Sequence, residues 1–153
     1  MIRSRRRRLF IAVWMTLSFA IPITAAAESP EDIVVFVHQG SPVKSVSVAE
    51  LKQLFLKKRA SWSSGQSVIV INAPSGSAVR NQFRKAVLGM SEAEEATHWE
   101  TARIRNQIAE PAEMLNTAKA VFRLKNAVSY AFRKDVPQGV VEVVLVIPKG
   151  NTP

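Results

Sequence analysis

The sequence VIVINAPSGSAVRNQF, residues 68–83, joins the pattern of a buried strand to that of a helix. Residues 68–71 form a continuous apolar run of strand length, which is typical of a strand buried on both faces. The small residues of 72–77 then form a loop, after which Val79 and Phe83 have the spacing of one helix face. A buried strand that leads through a short loop into a helix predicts an α/β fold.

Strands and helices are also predicted on both sides of this stretch. Further strands are predicted from apolar runs at residues 33–37, 128–132 and 140–147. Two capping boxes, in which a serine precedes a glutamate by three residues, predict helices that begin at Ser47 and Ser91. Pro111 predicts the first turn of a further helix. The Pro111 helix would carry apolar residues at helical spacing: Met114, Leu115, Ala118 and Phe122. Residues 103–110 are predicted to form an irregular polar connection. The predicted fold class is α/β, a mixed sheet covered by helices.

The start of the chain has the three zones of a secretory signal peptide. Five arginines lie in residues 1–8, a mainly apolar stretch covers residues 9–23, and Ala25-Ala26-Ala27 supplies the small residues of a cleavage site. A membrane anchor is the alternative, but this apolar stretch is shorter than the ~20 residues that cross a bilayer core. We predict cleavage between Ala27 and Glu28, no stable membrane span afterwards, and a periplasmic location. The export route, general or twin-arginine, stays open.

The predicted cleavage changes what the charge implies. The whole chain carries +9, but five of its 21 basic residues and none of its twelve acidic residues lie in residues 1–27, so the remainder carries +4. Nucleic-acid binding is therefore not predicted. The chain has no cysteine, which excludes disulfides and thiolate metal sites. Residues 28–147 suffice for one apolar core and one domain, and residues 148–153 are predicted to be a loose tail.

The loop within the opening stretch holds the candidate binding residues. Ser75 and Ser77 offer hydroxyl donors, Gly76 allows close approach to the backbone, and Arg80 adds a charged donor one turn later. Together with the backbone N–H groups at a helix start, these residues predict an anion site. Serine is also a common helix cap, so capping without any ligand is the alternative.

Other chemistry finds less support in the sequence. The two histidines, His38 and His98, have no second ligand at metal spacing, and no nucleophile turn or carboxylate pair is recognisable. We therefore predict no metal, no cofactor and no catalytic residue, and a protein that is not an enzyme. The acidic stretch of residues 91–100 is interpreted as a solvated helix face, and Trp62 and Trp99 as packing residues.

Four segments resemble, in order, motifs of the phosphate-binding proteins of ABC importers. Residues 46–58 with Trp62 and Gly65 are similar to the family's "S-L-x-x-L-x-x-I-F-x-G-K … W … G" segment. Residues 76–83 resemble "G-S-x-x-R-x-x-F", residues 88–99 resemble "hL-x-h-S-x-x-E-x-x-x-x-W", and residues 126–131 resemble "G-A-I-G-Y-V". The likeness is to the short PstS-like members and covers nearly all of residues 33–147.

This resemblance implies one lobe of a type II periplasmic-binding-protein fold, with phosphate or a related oxyanion as ligand. Gly76, Ser77 and Arg80 fall on motif positions. The chain departs from the family where Asn72-Ala73-Pro74 stands in place of an arginine and where Ser129 replaces a glycine. The family's amino-terminal serine/threonine-rich ligand loop, its proton-accepting carboxylate and its second lobe have no counterpart.

Two functions follow as hypotheses. The first is a solute-binding module that holds phosphate or a similar oxyanion for ABC-type uptake or sensing, its site completed by a partner chain or a homodimer. The second is an envelope accessory protein that retains the fold without a ligand and binds another protein.

Overall fold

The computed structural model describes residues 29–150. The predicted signal peptide, residues 1–27, lies outside the described residues, as do residues 151–153 of the predicted tail. Of the rest of that tail, Lys149 donates its backbone N–H to the buried Asp32 carboxylate, at 3.0 Å. Within residues 29–150, no helix combines the length and the apolar composition needed to cross a bilayer.

A five-stranded mixed sheet forms the centre of the fold, with the strand order β3-β2-β4-β1-β5. β2 is parallel to both of its neighbours, whereas β1 is antiparallel to both of its own. The prediction of a mixed sheet covered by helices is confirmed. The strands are β1 (Ile33–His38), β2 (Ile69–Asn72), β3 (Ala112–Glu113), β4 (Ala127–Phe132) and β5 (Val141–Ile147).

The helices begin where the serine caps predict them. The Ser47 side chain accepts the Glu50 N–H at 3.1 Å, and Ser91 forms both hydrogen bonds of the capping box with Glu94. The second helix changes to π geometry over Arg84–Leu88 and ends at Gly89, a left-handed residue with φ +63°. The helices are α1 (Val48–Phe55), α2 (Ala78–Phe83), α3 (Glu92–Asn106) and α4 (Thr117–Arg123).

Most of the apolar core lies on the face of the sheet that α1 and α2 cover. Three rings form its centre: Phe83 stacks on Tyr130 with centroids 3.7 Å apart, and Phe55 lies 4.8 Å from Phe83. Trp62 is buried in the same core, as the sequence indicated. Among residues 29–150, the other face of the sheet is covered mainly by α4 and holds the smaller cluster of buried side chains. The core thus holds the start of α2, and the loop before it, against β2.

The segment after α3 differs from its prediction. α3 continues to Asn106, so the predicted irregular connection at residues 103–110 begins only at Gln107. The predicted helix at Pro111 is wrong, because Ala112 and Glu113 pair in parallel with Ile71 and Asn72 of β2. α4 starts later, where the Asn116 side chain accepts the Lys119 N–H at 2.8 Å. Of the apolar residues assigned to that helix only Ala118 is buried, whereas Met114, Leu115 and Phe122 are exposed.

Candidate functional site

The loop between β2 and α2 has the geometry of a capped helix start. Gly76 has φ +76°, in the left-handed region where a side chain causes strain. Ser77 is the helix cap: its Oγ accepts the Arg80 N–H at 3.4 Å and donates to the Pro74 carbonyl at 2.7 Å. The Gly76 N–H has no hydrogen-bond partner within residues 29–150. The capping role that the sequence analysis considered for the loop serines is therefore present at Ser77.

The Ser75 donors already hold an anion, the carboxylate of Glu113. The Ser75 N–H donates to Glu113 Oε2 at 3.1 Å, and Ser75 Oγ donates to Glu113 Oε1. Arg80 Nη1 reaches the same Oε1 at 2.8 Å. These bonds, first those from Ser75 and then the charge of Arg80, lower the pKa of Glu113 below its ordinary value. Three of the donors predicted for an external anion thus converge on an internal carboxylate.

Arg80 is buried and its guanidinium is surrounded by acceptors. Its Nη1 also donates to the Ala73 carbonyl at 3.2 Å. Its Nη2 donates to Glu95 Oε1 at 3.1 Å and to Glu110 Oε1. Burial lowers the pKa of Arg80, but the hydrogen bond that Arg80 donates to Glu110 and the charge of Glu95 outweigh it and raise that pKa overall. Arg80 therefore carries a permanent charge that three carboxylates share.

Glu95 links two buried arginines across the start of α3. Its Oε1 accepts from Arg80 and its Oε2 accepts from Arg84 Nη1 at 3.2 Å. The interpretation of the acidic stretch as a solvated helix face is wrong for Glu95, which is 6% exposed. It holds for Glu92, Glu94 and Glu100, which are exposed. Glu95 is buried because it lies one turn after the α3 cap, on the side that faces α2.

Behind the loop, β4 supplies two buried polar side chains. Ser129 Oγ donates to the Ile71 carbonyl at 2.7 Å, so the serine that replaces the family's glycine satisfies its hydroxyl inside the sheet. The Tyr130 hydroxyl lies 3.3 Å from Asn72 Oδ1. Burial raises the pKa of Tyr130, so this phenol stays neutral and acts as a rigid support for the loop.

A cavity of about 490 Å³ opens between the loop and α3. Its lining includes the exposed loop residues Ser75 and Gly76, and also three buried charged side chains, those of Arg80, Arg84 and Glu95. Trp99 forms part of its wall, and the interpretation of this side chain as a packing residue holds because it is 8% exposed. The remaining lining residues come from α3 and from the segment before β3: Glu92, Ala96, Glu100, Arg103, Ala109 and Glu110.

The structure brings together the four predicted loop residues and adds four that the sequence analysis missed. The missed residues are Arg84, Glu95, Glu110 and Glu113. Arg84 could have been found, since it follows Arg80 by four residues on one helix and so shares its face. Glu113 could not, because a two-residue strand carries no periodic signal, and neither could Glu110, which lies in the irregular segment before that strand. Among residues 29–150, no group of acidic or histidine side chains has the arrangement of a metal site.

Comparison with known proteins shows the fold. No family model and no curated protein matches the chain. A solved structure from Clostridium perfringens, described as a phosphate ABC transporter substrate-binding protein with bound phosphate, matches with a TM-score of 0.56 and 20% identity, over 75% of this chain and 45% of that one. An ABC-type phosphate transport receptor from Vibrio cholerae matches with a TM-score of 0.57 and 13% identity, over 75% of this chain and 46% of that one. PstS from Borrelia burgdorferi matches with a TM-score of 0.54 and 11% identity, over 73% of this chain and 46% of that one.

These likenesses confirm the predicted fold, an α/β lobe of the PstS type. The chain spans less than half the length of the solved structures that it matches. The structural neighbours are substrate-binding and receptor proteins, the class that the sequence indicated. At sequence identities of 11–20%, these likenesses establish the fold of this chain but not its ligand.

Proposed function

We propose that the protein is an exported, periplasmic binding module that holds phosphate or a related oxyanion at Ser75, Gly76, Ser77 and Arg80, and that it is not an enzyme. It would serve ABC-type uptake or sensing. The observation that carries this proposal is the Glu113 carboxylate, held by Ser75 and Arg80. A loop that binds a carboxylate through convergent donors has the chemistry to bind other oxyanions. The solute-binding fold of its structural neighbours supports the same class of function.

Binding would proceed by exchange of one anion for another. The Glu113 side chain is 38% exposed, so it can turn into solvent at small cost, because exposed ion pairs contribute about 0–1 kcal/mol. The oxyanion would then accept from the Ser75 N–H, the Ser75 hydroxyl, the free Gly76 N–H and Arg80. Ser77 would act by capping α2 and fixing the loop.

The neighbouring carboxylates limit the affinity. Glu95 and Glu110 keep their bonds to Arg80 and repel an arriving anion. We expect a dissociation constant on the order of 1 mM for phosphate, which corresponds to about 4 kcal/mol. This is weaker than an enclosed receptor site would give, and a partner chain or a second copy that covers the loop would strengthen it.

Calorimetric titration of the processed chain with phosphate and sulfate tests the proposal. Arg80→Ala should abolish the heat of binding, whereas Glu113→Gln should bind phosphate more tightly than the wild type because the internal competitor loses its charge. Glu142→Gln, which removes one negative charge at the opposite end of the sheet, is the matched control and should behave as the wild type. Absence of heat at millimolar phosphate in both the wild type and Glu113→Gln would refute oxyanion binding.

A second candidate is a ligand-free envelope protein that binds another protein or a second copy of itself. The same Glu113 contact favours it, since the donors of Ser75 and Arg80 are already bonded without a ligand. The nearby Leu115, which is 95% exposed, provides an apolar contact point. Anion titrations without heat, together with a dimer in light scattering that Leu115→Ser dissociates, would favour this candidate over the first.

A further inference from the structure

The sheet ends, on the side away from the loop, in a long strand without the usual protection of an edge. β5 pairs with β1 on one side, and on its other side it pairs with no strand within residues 29–150. Its seven residues, VEVVLVI, include no lysine and no proline, the residues that commonly keep an edge strand from pairing with another chain. The opposite edge strand, β3, has only two residues. β5 therefore offers a row of backbone N–H and C=O groups to a further strand.

Apolar side chains of β5 are only partly covered, on both sides of the sheet. Val143 is 37% exposed, and Leu145 and Val146 are partly exposed. In the neighbouring strand β1, by contrast, every apolar residue is buried. A strand laid beside β5 would cover these side chains as β5 covers those of β1, and the removal of apolar surface from water would favour the pairing.

A β-bulge in β5 determines which strand would fit. The register between β1 and β5 shifts at this point, so that Val144 is the extra residue. Val144 and Leu145 both pack in the core under α1 and α2. Val143 is paired with Phe36, which lies in the core under α4, and Val146 packs against that core too. The alternation of sides along β5 is thus interrupted once, between Val144 and Leu145.

A second copy of β5, antiparallel and related by a twofold axis, matches this interrupted alternation. Directly opposite residues of antiparallel strands point to the same side of a sheet. With the axis between Val144 and Leu145, Val144 lies opposite Leu145 of the second copy, and Val143 lies opposite Val146 of the second copy. Each of these pairs shares one side of the sheet. Moving the second strand by one or two residues in either direction sets side chains of different sides opposite each other.

The charge of β5 is compatible with the same register. Glu142 is the only charged residue of the strand, and it would lie opposite Ile147 of the second copy. The two Glu142 residues would therefore be five residues apart along the paired strands, about 16 Å at the usual rise per residue. Within the two strands, no like charges would face each other.

We infer that β5 is the dimerisation edge of the protein, and that two copies pair through it, antiparallel and in this register, into one continuous sheet with five strands from each copy. The Ser75–Arg80 loop follows β2, which is three strands away from β5 in the sheet order, so both loops stay open at the outer parts of the dimer. This dimer differs from one in which a second copy covers the loop, and it does not depend on the function proposed above.

Sedimentation velocity of the processed chain over a range of concentrations tests the inference. A pairing through one strand is a small interface, so we expect a weak dimer with a dissociation constant on the order of 10 µM. Val143→Lys puts a charge on the paired edge and should raise that constant at least about tenfold. Ile69→Lys is the matched control, a similar change at a side chain 42% exposed on β2, which has a strand on each side; it should dimerise as the wild type does. Far-UV circular dichroism checks that both variants are folded.

Cysteine cross-linking tests the register. The chain has no cysteine of its own, so introduced thiols react alone. A mixture of the Val143→Cys and Val146→Cys variants should form a disulfide-linked dimer on mild oxidation, because these positions are directly opposite in the inferred pairing. A mixture of Val141→Cys and Val143→Cys, whose positions are not opposite, is the control and should form much less.

Three results would overturn the inference. The first is a wild type that stays monomeric well above the expected dissociation constant. The second is a dimer that Val143→Lys leaves intact; if Leu115→Ser dissociates it instead, the interface lies at the loop end of the sheet. The third is equal cross-linking in the two cysteine mixtures, which would rule out this register.

Discussion

Two sets of ion pairs at opposite ends of the sheet each join a glutamate carboxylate to a basic side chain, but in different surroundings. At the loop end, Arg80, Arg84 and Glu95 are all buried and joined at 3.1 and 3.2 Å. At the other end, Lys44 and Glu142 form a shorter contact of 2.7 Å, with side chains 65% and 28% exposed. The shorter pair is the one that water screens more. Distance alone therefore does not rank these interactions; burial does.

The difference lies in what happens when one partner is removed. An exposed charge that loses its partner is solvated by water, and the pair contributes about 0–1 kcal/mol. A buried charge that loses its partner remains desolvated, at a cost of about 3–5 kcal/mol. The loop end of the sheet should thus tolerate few changes, whereas the other end should tolerate many.

The largest effect is expected from Glu95→Gln. Gln keeps the size of the side chain, but one neutral amide replaces the carboxylate shared by two buried arginines. We expect the free energy of unfolding to fall by about 3–5 kcal/mol in urea titrations. Glu92→Gln, on the same helix with its side chain 76% exposed, is the matched control and should change it by less than about 1 kcal/mol. Equal losses of stability in the two variants would show that burial does not determine the cost of removing a charge.

An intermediate effect is expected from Glu113→Gln, and it should depend on pH. The pKa of Glu113 lies below its ordinary value of 4.5 in the folded protein, so its contribution is present above that value and is lost as the pH falls through the lowered pKa. At pH 7 the wild type should be more stable by about 1 kcal/mol or less, because Glu113 is partly exposed. Urea titrations between pH 7 and pH 3 should show this advantage shrinking; a constant difference would contradict the assignment.

The smallest effect is expected from Lys44→Ala at the exposed pair. The free energy of unfolding should change by about 0.5 kcal/mol or less, and added salt should reduce the difference further. Urea titrations of the wild type and the variant at low and high ionic strength measure the change in free energy of unfolding and its dependence on salt. A loss as large as that of Glu95→Gln would show that exposure does not govern these pairs.

The residues that the sequence predicted well are those with local or periodic signals. The serine caps of α1 and α3, the buried run of β1 and the loop that leads from β2 into α2 all lie where they were expected. The misses have a common cause, since they depend on contacts between distant segments. Glu113 reaches Ser75, which is 38 residues away in sequence, only because β3 pairs with β2. No sequence pattern within residues 107–116 predicts that pairing.

The brevity of β3 has a consequence for how the loop can be opened. Only Ala112 and Glu113 pair with β2, followed by one further bond from the Met114 N–H to the Asn72 carbonyl at 3.0 Å. Side chains of a strand alternate between the two sides of a sheet, so a slip of one residue would turn the Glu113 carboxylate away from Ser75. Such a slip would uncover the donors of the loop without any change of residue. The position of this short edge strand, held at three backbone positions, would thus decide whether the loop donors face Glu113 or solvent.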